Sequence, residues 1–158
     1  MPFTIISPDE WKLCCQVGID RAVSAIKKNL KDSVNRKKTW LDDLSYHIMG
    51  TVGELAASKV IGVQWTGSVD TFKSESDFPG GVEIRFRSNP EHDLIVREDR
   101  DDSRMVLVRG LPPGVVEVAG WILARDAKQE KWKQTYGNLR PAFFVPASEL
   151  NPMETLYK

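Results

Sequence analysis

The sequence is short of cysteine and histidine, with two of each among 158 residues, and it has neither a long apolar run nor a net charge. Each shortage removes a class of protein. Cys14 and Cys15 are adjacent, a spacing that rarely bridges, and no second Cys/His cluster exists to complete a zinc site. They read as small apolar residues on or beside a helix face. No apolar stretch approaches the ~20 residues of a membrane span. The opening Met-Pro-Phe-Thr-Ile-Ile lacks the charged and apolar regions of a secretion signal, so a cytoplasmic protein with no membrane partner is expected. No Ser/His/Asp grouping, Walker-type phosphate loop or GxGxxG occurs. The acidic run over 98–102 lacks the spacing and glycine of an EF-hand and reads as a solvated loop.

Neutrality conceals segregation. Between Lys12 and Lys38 there are eight Lys/Arg against Asp20 and Asp32, whereas 91–102 carries six acids against two arginines. Such a chain does not coat nucleic acid with its whole surface, but it leaves room for a basic patch opposite an acidic site.

Ser7-Pro8-Asp9-Glu10 combines an N-cap, a proline at the first helical position and a capping-box acid. The apolar spacing after it predicts a helix over 9–31, and the polar, basic stretch 31–38 reads as a connection. A second helix is expected over 41–60, ended by Gly62. Its Glu54 is flanked by Gly53, Ala56 and Ala57, small residues that permit close approach of a sheet. Residues 63–73 suggest a strand broken at Gly67, and 77–81 a turn. In 82–87, Val82, Ile84 and Phe86 alternate with Glu83, Arg85 and Arg87. Further strands are expected over 94–97, 105–109, 115–123 and 142–145, with a short helix around 124–132 and a surface ending from Leu150 onward. The helices precede a mostly antiparallel run of strands, which is an α/β (α+β) domain and not an alternating doubly wound one.

Three acids stand out in this frame. Period two puts Glu83 and Arg85 on one strand face, about 7 Å apart. Asp77 lies just before that strand, and Glu54 lies on a helix that packs against the sheet. Converging carboxylates repel unless a cation joins them, and hard oxygen donors favour Mg²⁺ or Mn²⁺. The bland alternative gives each acid a local role: Glu54 a solvated helix position, Asp77 a turn starter, Glu83 and Arg85 an exposed strand face.

This arrangement resembles the PD-(D/E)xK nuclease superfamily, whose αβββαβ core carries an acid on its first helix, an Asp at a strand and a (D/E)-x-K on the next strand. The resemblance covers roughly residues 45–108. It implies Glu54, Asp77 and Glu83 as metal ligands and catalytic residues, with Arg85 where the family has lysine. Arginine does not deprotonate near neutral pH, yet it can clamp a phosphate. Lys73 or Lys59 would supply an ammonium, although Lys59 is about 140° around the helix from Glu54. Asp70 and Glu75 are alternatives to Asp77. The Gly120-Trp121-Ile122 and Arg140–Pro146 segments look like small phage or bacterial members.

The implied activity is Mg²⁺- or Mn²⁺-dependent hydrolysis of DNA phosphodiesters, as in phage DNA processing. The implied alternative is an inactive module of the same fold that binds DNA or a protein partner. Self-association stays open. The expected organisation is one domain, with a helix and basic connection over 1–40, the nuclease-like core over 41–110 and additional strands over 111–158. His47, two turns before Glu54, and His92 read as surface or packing residues. Trp121 and Trp132 read as core, and Trp40, beside Lys37 and Lys38, as packing ahead of base stacking.

Overall fold

The computed structural model describes residues 2–28, 39–70 and 75–158. The expected basic connection with Lys37 and Lys38, the last turn of the first expected helix, and Lys73 lie outside these residues.

Helix α1 (Pro8–Lys27) starts at the expected capping box: Ser7 Oγ accepts the Glu10 N–H at 3.2 Å and Glu10 Oε2 accepts the Ser7 N–H at 2.8 Å. It ends four residues before Lys31, at a Lys28 cap. Helix α2 (Trp40–Ile61) opens on a second capping box, Thr39 with Asp42, and stops at Gly62 in the left-handed region. The buried stripe of α1 is Cys14, Gly18 and Ala22, residues four apart. It crosses α2 closely because a Cβ on Gly18 would stand 2.6 Å from Ile48 Cα. Thr51 fixes the crossing, its hydroxyl donating to Cys14 O at 2.9 Å.

A four-stranded sheet in the order β1-β5-β4-β2 forms the middle layer, from β1 (Phe3–Ile6), β2 (Val82–Arg87), β4 (Arg104–Gly110) and β5 (Gly114–Leu123). β2 and β4 run parallel, whereas the other pairs are antiparallel. The parallel pair arises because the chain leaves the sheet between them to make β3 (Leu94–Arg97). β3 joins β7 (Ala142–Val145) and β6 (Lys133–Gln134) in a second sheet, ordered β3-β7-β6. The protein is therefore a mixed α+β structure with two sheets.

Alternation assigns the faces of the middle sheet. Val82, Ile84, Val106, Val108, Val116 and Val118 pack under Val52, Ala56 and Ala57 of α2. Met105 and Leu107 point the other way, into a core with Leu94, Val96, Phe143 and Val145 of the small sheet. One bulge in β5 resets its phase: Leu107 pairs with Gly120 but Val108 pairs with Val118, leaving Ala119 extra. Trp121 consequently rejoins the helix-side core and Ile122 the opposite one.

Both helices lie on one face of the sheet, and the small sheet covers the other. Several expectations require correction. Residues 63–68 are not a strand, and Val63 and Trp65 instead pack onto the helix-side core. The expected helix around 124–132 is a turn followed by the single 3-10 turn Glu130–Trp132. The tail is no surface ending. Asn151 bridges to Trp121 on β5, beyond the reach of β1, and Met153 and Leu156 are buried. β1 itself had no sequence signal beyond four residues. Among the described residues no helix is long and apolar enough to cross a membrane.

Candidate carboxylate-arginine site

Gly53 lets α2 settle on β2: a Cβ there would meet Ile84 Cγ2 and Phe86 Cβ, each at 3.1 Å. The next residue, Glu54, thereby reaches the rim between helix and sheet. It is not solvated. Arg21 of α1 donates to both of its oxygens, Nη1 to Oε1 at 2.6 Å and Nη2 to Oε2 at 2.8 Å. Trp65 Nε1 adds a third bond to Oε2 at 2.9 Å. Arg21 Nε in turn donates to Ser68 O at 2.8 Å, which uses the remaining edge of the guanidinium. Burial works against the charge on Arg21, but the bonds to Glu54, with Asp77 nearby, outweigh it and raise its pKa.

Asp77 stands at the open edge of β2. Phe78 and Val82 exchange backbone hydrogen bonds, so the chain folds back along that edge. The Asp77 carboxylate accepts the next outward N–H, that of Ile84, at 2.7 Å. Loss of water around the carboxyl, then the charges of Glu54 and Glu83, push its pKa up to about 6, against the pull of the Ile84 N–H and Arg85. As a residue Asp77 is exposed, so solvent screens part of this effect.

Glu83 faces away from the helices, beside Met105 on the side of the small sheet. It is buried, with Arg100 Nη1 at 3.4 Å from Oε1 and Arg85 Nη1 at 3.7 Å from Oε2. Burial pulls the Arg85 guanidinium down, while Glu83 and Asp77 pull it up. The three acids thus surround the edge of β2 from different sides: Glu54 from the helix layer, Glu83 from the opposite face and Asp77 between them. Each is matched by a guanidinium or a backbone N–H.

Glu54 and Asp77 open onto one cavity of about 650 Å³ that Arg21, His47, Asp70 and Glu75 also line. Asp70 is held by Ser24 and by Lys28 Nζ at 3.2 Å, and Glu75 is exposed. Lys59 is elsewhere, its Nζ shared between Ile5 O and Glu10 Oε1 at 2.7 Å each. His92 accepts from Arg87 at the far end of β2. Trp132 is buried, Trp121 bonds to Thr155 Oγ1, and Trp40 is 73% exposed at the start of α2. Cys14 is wholly buried and free, and burial pushes its thiol up to about 11, which makes it inert.

Sequence inspection missed Arg21, Trp65 and Arg100. Arg21 lies 33 residues from Glu54, and such a distant ion pair leaves no local pattern. A divalent cation needs oxygen lone pairs directed at one point. Among the described residues no three His, Cys, Asp or Glu side chains are grouped to hold a metal ion. The lone pairs of Glu54 are directed at Arg21 and Trp65 instead, so these donors do not fit Mg²⁺ or Mn²⁺ as arranged. Comparison with protein-family models, with curated proteins and with solved structures gives no match.

Proposed function

We propose that the chain is a non-catalytic module that binds nucleic acid. It would be a relative in pattern of the PD-(D/E)xK nucleases whose acids are held by arginines. The observation that carries this reading is the bidentate clamp of Arg21 on Glu54, reinforced by Trp65. A carboxylate accepting three short hydrogen bonds keeps about one of its four lone-pair sites for a metal, and the guanidinium against it repels a cation. The helix acid then has a structural role, joining α1, α2 and the 63–68 segment. Support for nucleic acid as partner comes from one cavity on the small-sheet side. Arg87 of β2, Arg97 of β3 and Arg140 line it together. Guanidinium groups clustered on an otherwise neutral molecule suit a phosphodiester backbone.

One observation favours a second reading, an active Mg²⁺- or Mn²⁺-dependent deoxyribonuclease. The Asp77 carboxyl is raised first by loss of water and then by the charges of Glu54 and Glu83, and like charges of that kind are what a divalent cation relieves. In that case Asp77 and Glu83 would hold the ion, Glu54 would join after release from Arg21, and Arg85 would clamp the scissile phosphate.

The two readings part in one set of measurements. DNA binding is followed in EDTA, Mn²⁺ uptake by calorimetry, and cleavage on linear, nicked and single-stranded DNA with either ion. The module binds DNA equally in EDTA, takes up no Mn²⁺ and leaves the DNA intact. Stoichiometric Mn²⁺ uptake with cleavage, both lost in Glu83→Ala, would establish the nuclease instead. Absence of any DNA binding overturns the proposed partner.

A further inference from the structure

A second cavity, of about 440 Å³, lies on the outer face of the small sheet, away from the carboxylate site. That volume is in the range of small-molecule sites. Its floor follows from strand alternation. Leu94, Val96, Phe143 and Val145 face the core, so Ile95 and its register partner Phe144 face outward. Tyr136, from the loop after β6, stands edge-on to Phe144 with ring centroids 5.1 Å apart and planes at 77°. Tyr136 is 54% exposed, so an aromatic face remains for a ligand.

The wall of this cavity carries cations. Arg87 enters from the end of β2, and Arg97 and Arg140 complete the set. Arg87 differs from the other arginines of its strand and its neighbours. Arg21, Arg85, Arg100 and Arg109 are each paired with a glutamate. Arg87 Nη2 donates to His92 Nδ1 at 3.0 Å, and Arg87 Nε is buried with no hydrogen-bond partner. Because a guanidinium only donates, His92 Nδ1 is the acceptor of that bond. A half-buried guanidinium with an unmatched N–H, beside an aromatic floor, is an incomplete site.

Charge restricts the occupant. Glu91 and Asp93 share the rim and Asp99 pairs with Arg140 at 3.9 Å, so the three arginines of the cavity are largely offset. Such a lining tolerates the single negative charge of a phosphodiester better than the several charges of a di- or triphosphate. An aromatic base fits the Tyr136–Phe144–Ile95 surface, since stacking needs a π-face and no particular base edge.

We infer that this cavity binds one nucleotide unit of a single strand, its base on Tyr136 and Phe144 and its phosphodiester on Arg87. The inference rests on the nucleic-acid reading for its ligand and does not depend on the carboxylate site. Free nucleotides offer the same chemistry, so the test includes both sources. Binding of a labelled short oligothymidylate, thymidine monophosphate and thymidine is measured in EDTA for the native chain, Arg87→Gln and Tyr136→Ala. The oligonucleotide binds, thymidine does not, and each substitution weakens the oligonucleotide at least about fivefold, the lower end of one base-stacking contact. Tyr136→Ala alters an exposed side chain and keeps the test valid where Arg87→Gln perturbs folding, which thermal melting checks. Oligonucleotide binding unchanged in both variants overturns the inference and leaves the nucleic-acid reading standing. Binding of the monophosphate alone overturns the strand assignment and that reading. Absence of all binding overturns both.

Discussion

Asp77 accepts a backbone N–H where Glu54 and Glu83 each face a guanidinium. The raised pKa of Asp77 has a consequence for stability. The folded state holds a proton on Asp77 up to about pH 6, whereas the unfolded chain loses it near 3.8. Between those values the native state binds more protons than the unfolded one, so the contribution of Asp77 is fully present below about pH 3.8 and is lost as the pH rises through about 6. Asp77→Asn keeps an oxygen for the Ile84 N–H and removes the titration. Urea unfolding at intervals from pH 4 to pH 7 should show the variant gaining on the native chain as pH rises, with the gap levelling above about pH 7. A difference that stays constant with pH would mean that neither burial nor the neighbouring acids press on this carboxyl.

Helix packing makes the contrast between two glycines informative. Gly→Ala inside a helix gains up to about 1 kcal/mol of propensity, while overfilling a tight contact costs about 1–3 kcal/mol. At Gly50 of α2 an added Cβ meets nothing within 4 Å, so Gly50→Ala should stabilise the chain by about 0.5–1 kcal/mol. At Gly18 the same Cβ meets the backbone of Ile48 at 2.6 Å, which moves only if the helices part. Gly18→Ala should destabilise by about 1–2 kcal/mol despite its propensity gain. Chemical denaturation of the two variants decides the signs, and equal effects would place the helix crossing elsewhere. The same elements show what the sequence made legible. The Ser7–Glu10 box and the alternation over 82–87 are local, and α1 and β2 stand where those signals put them. The Thr39–Asp42 box is equally local, and it starts α2 at Trp40, one residue before the expected position. Elsewhere the deciding partner was remote. Residues 63–68 are rich enough in β-formers for a strand, yet Trp65 turns to Glu54 and no ladder forms. Met153 and Leu156 are sparse apolar residues in a polar, proline-containing tail, and only the vacant stretch of β5 at Trp121 explains their burial. The acids were visible as residue types, but their environment depended on Arg21 and Arg100, which come from other elements.

At the scale of the whole molecule, 22 basic and 22 acidic residues cancel, so long-range attraction for nucleic acid is weak and binding must come from a local set of cations. Layering produces that set. The middle sheet spends one face on the helices and the other on the small sheet, and the outer face of the small sheet remains to present Arg97, Arg140 and, from the end of β2, Arg87. Salt dependence measures how many such cations meet phosphate. For a single strand, the slope of log affinity against log salt is about −0.7 per phosphate contact, so the one contact at Arg87 gives about −0.7. Raising salt about fourfold should then weaken the oligonucleotide about 2.6-fold. Arg87→Gln should reduce the slope by about 0.7, because one counterion fewer is released. Tyr136→Ala should lower affinity while leaving the slope unchanged, since stacking releases no counterion. A native slope several times steeper would identify an extended basic surface as the binding face in place of this cavity. A slope near zero would remove phosphate from the interaction, and with it the role of Arg87.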